Sequence, residues 1–336
     1  MRSIQWKVPA KGAVMGLAWL AMAASSQAAQ ASGGAAALQV PQASQAPLAA
    51  VARAGQALVA VGDHGVVLSS RDGLTWRQAR QVPVDTLLTA ACFSDADHGW
   101  AVGHGGTILS TQDGGASWQW RHRVDKAPVL LSVACQGPSQ VWVVGAYGTA
   151  LHTRDGGQSW QPMAIGEGRD ADLHLNAVVV GRRGTLVVAA EGGAAFRLAE
   201  DALSWSRVDT QATGSLWGAL KLRDGTLMLY GMGGRIVVSH DDGQHWQSVA
   251  SGTHEALTGA AQLDDGRVVL VGNGGVVVVS SHTPDAQMTF TAQVRPDRQN
   301  LAAVAPDGHG GVVVFGAAGV GEQRLADLVK TPAGQP

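Results

Sequence analysis

A repeat of roughly 42 residues is the feature that most constrains the fold of this chain. A Gly-x-x-Gly pattern follows a short apolar run in six places, and a degenerate copy from Ala190 to Gly193 adds a seventh. The last position of the pattern falls at Gly65, Gly106, Gly148, Gly193, Gly234, Gly275 and Gly319. A constant period of this length is typical of solenoids and propellers, in which each repeat is one supersecondary unit.

A leucine that opens a short apolar segment keeps the same period. It occurs once in each copy, at Leu48, Leu88, Leu131, Leu175, Leu216, Leu257 and Leu301. Because two independent markers share one register, the sequence predicts seven structural copies.

Each copy divides into four short apolar runs bounded by Gly and Asp, which predicts strands and not helices. In the second copy the predicted strands cover residues 89–93, 99–102, 107–110 and 117–121. Glycine accounts for 45 of the 336 residues, and each would cost a helical repeat about 1 kcal/mol. We therefore predict an all-β, seven-bladed β-propeller of four-stranded antiparallel blades over residues 47–325, with a tail at 326–336.

The seventh copy lacks a fourth strand with a tryptophan. A small apolar run at residues 36–40 precedes the first copy. We predict that this N-terminal segment closes the ring as the outer strand of the last blade, because closure removes an exposed sheet edge.

The N-terminus carries the three-part pattern of a secretory signal peptide over residues 1–28. Arg2, Lys7 and Lys11 precede an apolar run at 12–24, and small residues allow cleavage after residue 28 or 31. The run is too short to cross a membrane; an uncleaved anchor is the alternative. We expect residues 29–46 to form a flexible lead-in, and the mature protein to be soluble in the periplasm or otherwise exported.

The charge of the mature chain is modest. Residues 1–31 contain three basic and no acidic residues, so their removal changes the formal charge from −2 to −5. This balance gives no reason to expect nucleic-acid binding.

Several copies carry a finer turn motif of the form S/T-x-D-x-G-x-S/T-W, and the first copy carries a shortened version. Its main residues are Asp72, Trp76, Asp113, Gly115, Trp118, Asp155, Gly157, Trp160, Asp241, Gly243 and Trp246. The fourth copy is degenerate and keeps only Asp201, Ser204 and Trp205. The chemistry is structural, since Asp accepts N–H groups of its own turn and Trp packs on neighbouring sheets.

This motif is the Asp-box of bacterial neuraminidase repeats. Together with the Val-Gly-x-x-Gly turns at 102–106 and 144–148, the unit resembles that of the photosystem II stability/assembly factor family over residues 47–325. The resemblance implies a binding and assembly role on a membrane protein complex, and some relatives accompany exporters. It also implies an Arg-rich partner patch, although no residue motif aligns one here.

The Asp-boxes also raise a glycoside hydrolase of the sialidase type as the alternative function. That chemistry needs a Tyr nucleophile, carboxylates and three Arg that clamp the substrate. The chain contains two Tyr, Tyr147 and Tyr230, and no Arg-Ile-Pro segment near the start of the propeller. We therefore predict that the protein is not an enzyme.

Polar residues in two sets of loops are candidates for partner binding around one mouth of the channel. The turns between second and third strands and the loops before first strands supply Asp63, His64, His104, Tyr147, His174, Glu191, His254 and Asn273. Such side chains can bind metals, but the spacing matches no metal motif. We predict no metal and no cofactor, and solvated turn residues are the alternative.

A basic cluster forms the second candidate. Arg77 and Arg80 follow the first Trp, and Arg121 and Arg123 follow the second, at equivalent places in adjacent blades. They predict one basic strip; ordinary solubilising side chains are the alternative reading.

The only two cysteines occupy the same position after the leucine markers, at Cys92 and Cys135. Inner strands of neighbouring blades are expected to lie too far apart for a disulfide, so two buried free thiols are favoured. The sequence therefore predicts an exported, monomeric, non-enzymatic propeller whose partner is an integral membrane protein, such as a transporter or a photosystem.

Overall fold

The computed structural model describes residues 35–200, 202–281 and 288–323. The predicted signal peptide, Asp201 of the fourth motif and the predicted tail lie outside the described residues. The described chain forms seven antiparallel sheets, one for each repeat.

The strands of each sheet follow one another along the chain. The strands of the first three blades are, in blade one, Leu48–Ala54, Ala57–Gly62, Val67–Ser70 and Arg77–Gln78; in blade two, Leu88–Phe93, Gly99–Gly103, Thr107–Thr111 and Gln119–Arg123; and in blade three, Leu130–Gln136, Gln140–Gly145, Ala150–Thr153 and Gln161–Pro162. Those of the next three are, in blade four, Leu175–Val180, Leu186–Ala190, Ala195–Leu198 and Ser206–Val208; in blade five, Leu216–Lys221, Leu227–Gly231, Ile236–Ser239 and Gln247–Val249; and in blade six, Leu257–Gln262, Val268–Gly272, Val276–Ser280 and Phe290–Val294. Blade seven contains Leu301–Pro306, Val312–Gly316 and Gly319–Gln323.

Short 3-10 turns lie before the first strand and between some of the later ones. They cover Ala43–Gln45, Asp63–Gly65, His104–Gly106, Gly168–Asp172, Arg182–Gly184, Glu191–Gly193, Met232–Gly234 and Asn273–Gly275. The first strand of each blade contacts the first strand of the next, and that of blade seven contacts that of blade one. The predicted seven-bladed propeller is therefore confirmed.

The two sequence markers meet in the structure. Leu88, which opens the first strand of blade two, pairs with Gly103, and one bulged residue follows the pair. The backbone of Gly103 is extended, so the glycine is needed for space: a Cβ there would lie 2.1 Å from the carbonyl oxygen of Leu87. In blade three the pairing residue is Leu130. The marker predicted at Leu131 is wrong by one position.

This one-residue offset explains the disulfide that the structure contains between Cys92 and Cys135. Cys92 pairs across its sheet with Trp100, whereas the residue that pairs with the equivalent Trp142 is Ala134. Cys135 therefore projects from the opposite face of its sheet, because side chains alternate along a strand. Opposite faces of neighbouring blades face each other, and the Cα atoms lie 6.1 Å apart. The predicted free thiols are wrong.

The predicted closing strand is also wrong. Residues 36–40 run beside the outer strand of blade one: the N–H of Ala37 donates to the carbonyl of Val82 at 3.0 Å, and that of Val40 donates to the side chain of Gln78 at 3.0 Å. Within the described residues blade seven has three strands. Its junction with blade one is packed by Trp76, whose ring meets that of Phe315 edge-on at 5.4 Å.

Candidate functional site

The Gly-x-x-Gly turns and the loops that precede the first strands lie at the same end of the propeller, which we call the turn face. Backbone hydrogen bonds join the two sets of loops. The N–H of Gly65 donates to the carbonyl of Thr86 at 2.8 Å, and that of Glu191 donates to the carbonyl of His174 at 3.0 Å. The two sets of loops that carry the predicted polar residues thus lie at one end, and the binding role of these residues stays a prediction.

Three of the predicted residues form one connected group across blades three and four. The backbone N–H of Tyr147 donates to Nδ1 of His174 at 3.2 Å, and the two rings meet edge-on at 4.8 Å. The backbone N–H of His174 donates to Oε2 of Glu191 at 3.3 Å. These contacts hold an exposed phenol, an imidazole and a carboxylate in a fixed arrangement.

Two turns place a large side chain where those of blades two, four, five and six place glycine. His64 and Tyr147 have positive φ angles of 50° and 54°. The His64 side chain is 82% exposed and Tyr147 is 74% exposed. A bulky residue with positive φ is an outlier that costs roughly 1–3 kcal/mol, and such outliers concentrate at functional sites. The turn face therefore presents two exposed aromatic side chains on strained backbone.

The other predicted residues of the turn face are dispersed. Asp63 lies beside its own neighbour, with Oδ2 3.7 Å from Nε2 of His64. His104 and His254 are exposed, and Asn273 is half-buried. Within the described ranges, no group of three or more His, Cys, Asp or Glu side chains is placed to hold a metal ion.

Sequence reasoning missed Trp217, which is 36% exposed. It is the bulged residue after the opening leucine of blade five, a position that holds Thr89 in blade two and Thr258 in blade six. Trp217, Thr258 and Asn273 line a cavity of about 340 Å³. The unusual size of the side chain at a repeat position was the signal available in the sequence.

The predicted basic residues do not share one set of contacts. Arg77 and Arg80 line a cleft between blades one and two, where Nη2 of Arg80 lies 3.3 Å from Oδ2 of Asp113. Nε of Arg121 donates to a serine hydroxyl of its own blade at 2.7 Å, and that of Arg123 donates to a carbonyl of the turn face at 3.2 Å. The four arginines are thus distributed along the outer strands, and their role in partner binding stays a prediction.

The Asp-box carboxylates are bound within their own turns. Oδ1 of Asp113 accepts the N–H of Ser117 and the hydroxyl of Thr111, both at 2.8 Å, and its Oδ2 accepts the hydroxyl of Ser117 at 2.7 Å. The N–H of Gly115 donates to the Thr111 hydroxyl at 3.0 Å. Asp155 and Asp241 accept equivalent bonds. These turns have the structural role that the sequence predicts.

The same bonds perturb the acidity of the turns. Backbone N–H groups of Thr75 and Leu74 and then the Ser70 hydroxyl hold the pKa of Asp72 well below its ordinary value. Burial raises the pKa of Asp241, but hydrogen bonds from the turn outweigh burial and lower the pKa to about 2. The carboxylates are therefore charged at neutral pH and engaged with their own turns.

The Asp-box tryptophans fill the spaces between blades. Trp118 is 1% exposed, and its Nε1–H donates to the carbonyl of Gly115 at 3.1 Å. Trp76 and Trp246 donate equivalent bonds at 3.1 Å. Trp160 differs, because its Nε1 is buried without a hydrogen-bond partner.

The sheet order and the hydrogen-bonded turns define a seven-bladed propeller of the Asp-box class with an exposed aromatic turn face. Residues 68–320 match the sequence profile of the protein family described as photosynthesis system II assembly factor YCF48. The chain therefore belongs to that family. Family and fold together support a role as an assembly factor. No curated protein sequence matches the chain significantly.

Solved structures share the fold at low sequence identity. YCF48 bound to D1 peptide is 20% identical with a TM-score of 0.66, and the match covers 86% of this chain and 95% of that one. YCF48 from Cyanidioschyzon merolae is 18% identical with a TM-score of 0.64, with 88% and 100% covered. Virginiamycin B lyase from Staphylococcus aureus is 8% identical with a TM-score of 0.69, with 83% and 94% covered. At these identities the likeness extends to the fold alone.

Proposed function

We propose that this chain is an exported, non-enzymatic and monomeric factor that assists the assembly or stability of a membrane protein complex by binding a segment of one subunit at the turn face. The observation that carries the proposal is the exposure of His64 and Tyr147 on positive-φ backbone, with the partly exposed Trp217 lining a cavity. Aromatic residues are enriched at interfaces because they bury much area at low entropic cost. That a YCF48 relative was solved with a D1 peptide supports a partner of this kind.

Export is supported by two independent features. The first residues have the signal-peptide pattern, with Arg2, Lys7 and Lys11 before an apolar run. The disulfide between Cys92 and Cys135 suits an oxidising compartment such as the periplasm. Among the described residues, no helix has the length and apolar character needed to cross a membrane. The partner proposed is an integral membrane protein, either a photosystem subunit or a transporter.

Glycoside hydrolysis gains no support from the Asp-boxes. Asp72, Asp113, Asp155 and Asp241 each accept hydrogen bonds from their own turns. A sialidase needs an acid/base carboxylate beside its Tyr nucleophile, and other retaining glycosidases need two carboxyl groups about 5–5.5 Å apart; in both cases the carboxyl groups must be available to the substrate. Clear turnover of a fluorogenic sialoside or of a general glycoside panel would overturn the non-enzymatic part of the proposal.

Affinity capture from detergent-solubilised membranes of the source cells tests the binding proposal. The mature protein is the bait, and mass spectrometry identifies what it retains. We expect an integral membrane protein, and its identity separates photosystem from transporter. Recovery of soluble proteins alone would refute the proposal.

Variants localise the binding surface. Tyr147→Gly removes the phenol and relieves the positive φ, and Trp217→Thr installs the residue of blades two and six. Both should reduce capture at least fivefold, since truncation of an interface aromatic commonly costs about 1 kcal/mol or more. Arg71→Gln, in the Asp-box turn of blade one at the other end of the strands, is the matched control and should leave capture unchanged. Equal capture by all variants would place the interface elsewhere.

A further inference from the structure

The Asp-box turns close the wedge between neighbouring blades. The turn glycine lies against the second strand of the preceding blade, as Gly157 does against Trp100. A Cβ on Gly157 would lie 2.4 Å from that indole, and the residue has a φ of +81°. Glycine at this place is thus a condition for the turn to cover the wedge.

The sequence of blade four departs from this motif at the equivalent turn, between blades three and four. When the motifs are aligned on their tryptophans, Trp205 and Trp118, blade four has Leu198 and Ala202 at the positions of Thr111 and Gly115 in blade two. Alanine resists positive φ, and its Cβ would meet Trp142, the equivalent of Trp100, so the covering turn cannot form. An open cleft of about 1510 Å³ takes its place.

The walls of this cleft are aromatic. The rings of Trp142 and His152 are stacked, with centroids 5.1 Å apart and an angle of 4° between planes. On the side of blade four, Phe196 is buried at the base of the cleft and Trp205 is half-buried. His152 lines the cleft and is 9% exposed, yet its Nε2 is buried without a hydrogen-bond partner. Leaving a buried polar group without a partner is unfavourable, and a ligand atom would offset that cost.

The cleft also has a cation beside its aromatic wall. Arg154, exposed at the rim, follows the strand of His152 by one residue and lines the same cleft. Burial, and then the charge of Arg154, lower the pKa of His152, so its imidazole is neutral at pH 7. Asp170, on the same rim, is already paired with Arg207. A half-buried indole, an unsatisfied ring nitrogen and a guanidinium therefore line one cleft.

We propose that the cleft between blades three and four is a binding site for a small aromatic carboxylate. The ring of the ligand packs against the half-buried Trp205, and its carboxylate binds Arg154 and the ring nitrogen of His152. A guanidinium and a carboxylate form strong, charge-assisted hydrogen bonds, and planar rings gain from contact with Trp. The site is separate from the turn-face residues of the proposed function and does not depend on them.

Titration calorimetry with the mature protein tests this site, with indole-3-acetate as the probe. Indole-3-ethanol lacks the charge and hexanoate lacks the ring, so each should bind at least tenfold more weakly, about 1.4 kcal/mol. No detectable binding of indole-3-acetate, or equal binding of all three compounds, would overturn the proposal.

Variants of the cleft and NMR signals of the histidine rings determine where the ligand binds. Arg154→Gln should weaken indole-3-acetate at least tenfold, whereas Arg71→Gln, the same change at the equivalent position of blade one, should not. His152→Ser, which installs the residue found at Ser110, should also weaken it while circular dichroism reports retained β-structure. In protein labelled with ¹⁵N-histidine, the His152 ring signals should shift on binding. Binding that leaves these signals and the Arg154→Gln affinity unchanged would show that the ligand lies elsewhere.

Discussion

Two tryptophans in equivalent Asp-boxes should respond differently to the same substitution. Nε1–H of Trp118 donates to the Gly115 carbonyl at 3.1 Å inside the core, whereas Nε1 of Trp160 is buried without a partner. Changing either residue to Phe removes roughly 40 Å² of apolar surface, which is about 1 kcal/mol. The polar contribution then separates the two variants.

In Trp118→Phe the Gly115 carbonyl loses its partner, which adds about 1–2 kcal/mol to the loss of stability. In Trp160→Phe an unsatisfied N–H disappears, and about 1 kcal/mol is recovered. Trp118→Phe should therefore destabilise the protein by about 2–3 kcal/mol, and Trp160→Phe by about 0–1 kcal/mol.

Urea unfolding followed by far-UV circular dichroism measures this difference. The two variants should share one m-value and differ in midpoint, because they expose the same chain on unfolding. Trp246→Phe is the matched control, since Trp246 donates an equivalent bond to Gly243 at 3.1 Å, and it should group with Trp118→Phe. Equal losses at positions 118 and 160 would refute the reasoning that the hydrogen bond distinguishes these sites.

Three further predictions follow from the turns and the disulfide. Gly157→Ala, with φ +81° and a Cβ 2.4 Å from Trp100, should cost about 3 kcal/mol and lower the thermal midpoint; an unchanged midpoint would contradict the packing described. Reduction of the disulfide between Cys92 and Cys135, which are 43 residues apart, should lower the free energy of unfolding by up to about 4 kcal/mol. The thermal midpoint should therefore fall in dithiothreitol, and the double variant Cys92→Ser, Cys135→Ser should not respond to dithiothreitol. The pKa of Asp241 is lowered to about 2 in the folded protein, so the stability that its carboxylate contributes is fully present above the pKa of the unfolded chain, near 4, and is lost as the pH falls towards 2. The Asp241→Asn variant should therefore show a flatter dependence of stability on pH in this range. An unchanged slope would argue against the hydrogen bonds of the turn.

The repeat markers allowed the fold to be predicted because each one reports a local requirement. Gly103 is needed where a carbonyl approaches, and Leu88 is fully buried opposite it. The leucine recurs in every blade and the glycine in every blade but the fourth, which has Ala190, so their period reveals blade number and strand phase. The candidate residues of the turn face could be named for the same reason, since a loop position in one blade implies the equivalent loop in the next.

Packing between blades could not be predicted in this way. The contacts of Tyr147 with His174 and of His174 with Glu191 join different repeats. The opposition of Cys92 and Cys135 depends on a one-residue offset in the register of blade three. The period of the repeat places each residue within its blade, but it does not indicate which face of a sheet packs against which residues of the next blade.

The sequence by itself determined the seven-bladed architecture, the Asp-box turns and the blade in which each candidate side chain lies, because these follow from local backbone and burial requirements. Tertiary structure decided how the blades meet. It placed residues 36–40 beside blade one, joined Cys92 to Cys135, and left an open aromatic cleft where Ala202 replaces a turn glycine. These features depend on distances between residues remote in the chain, which a repeating local pattern does not encode.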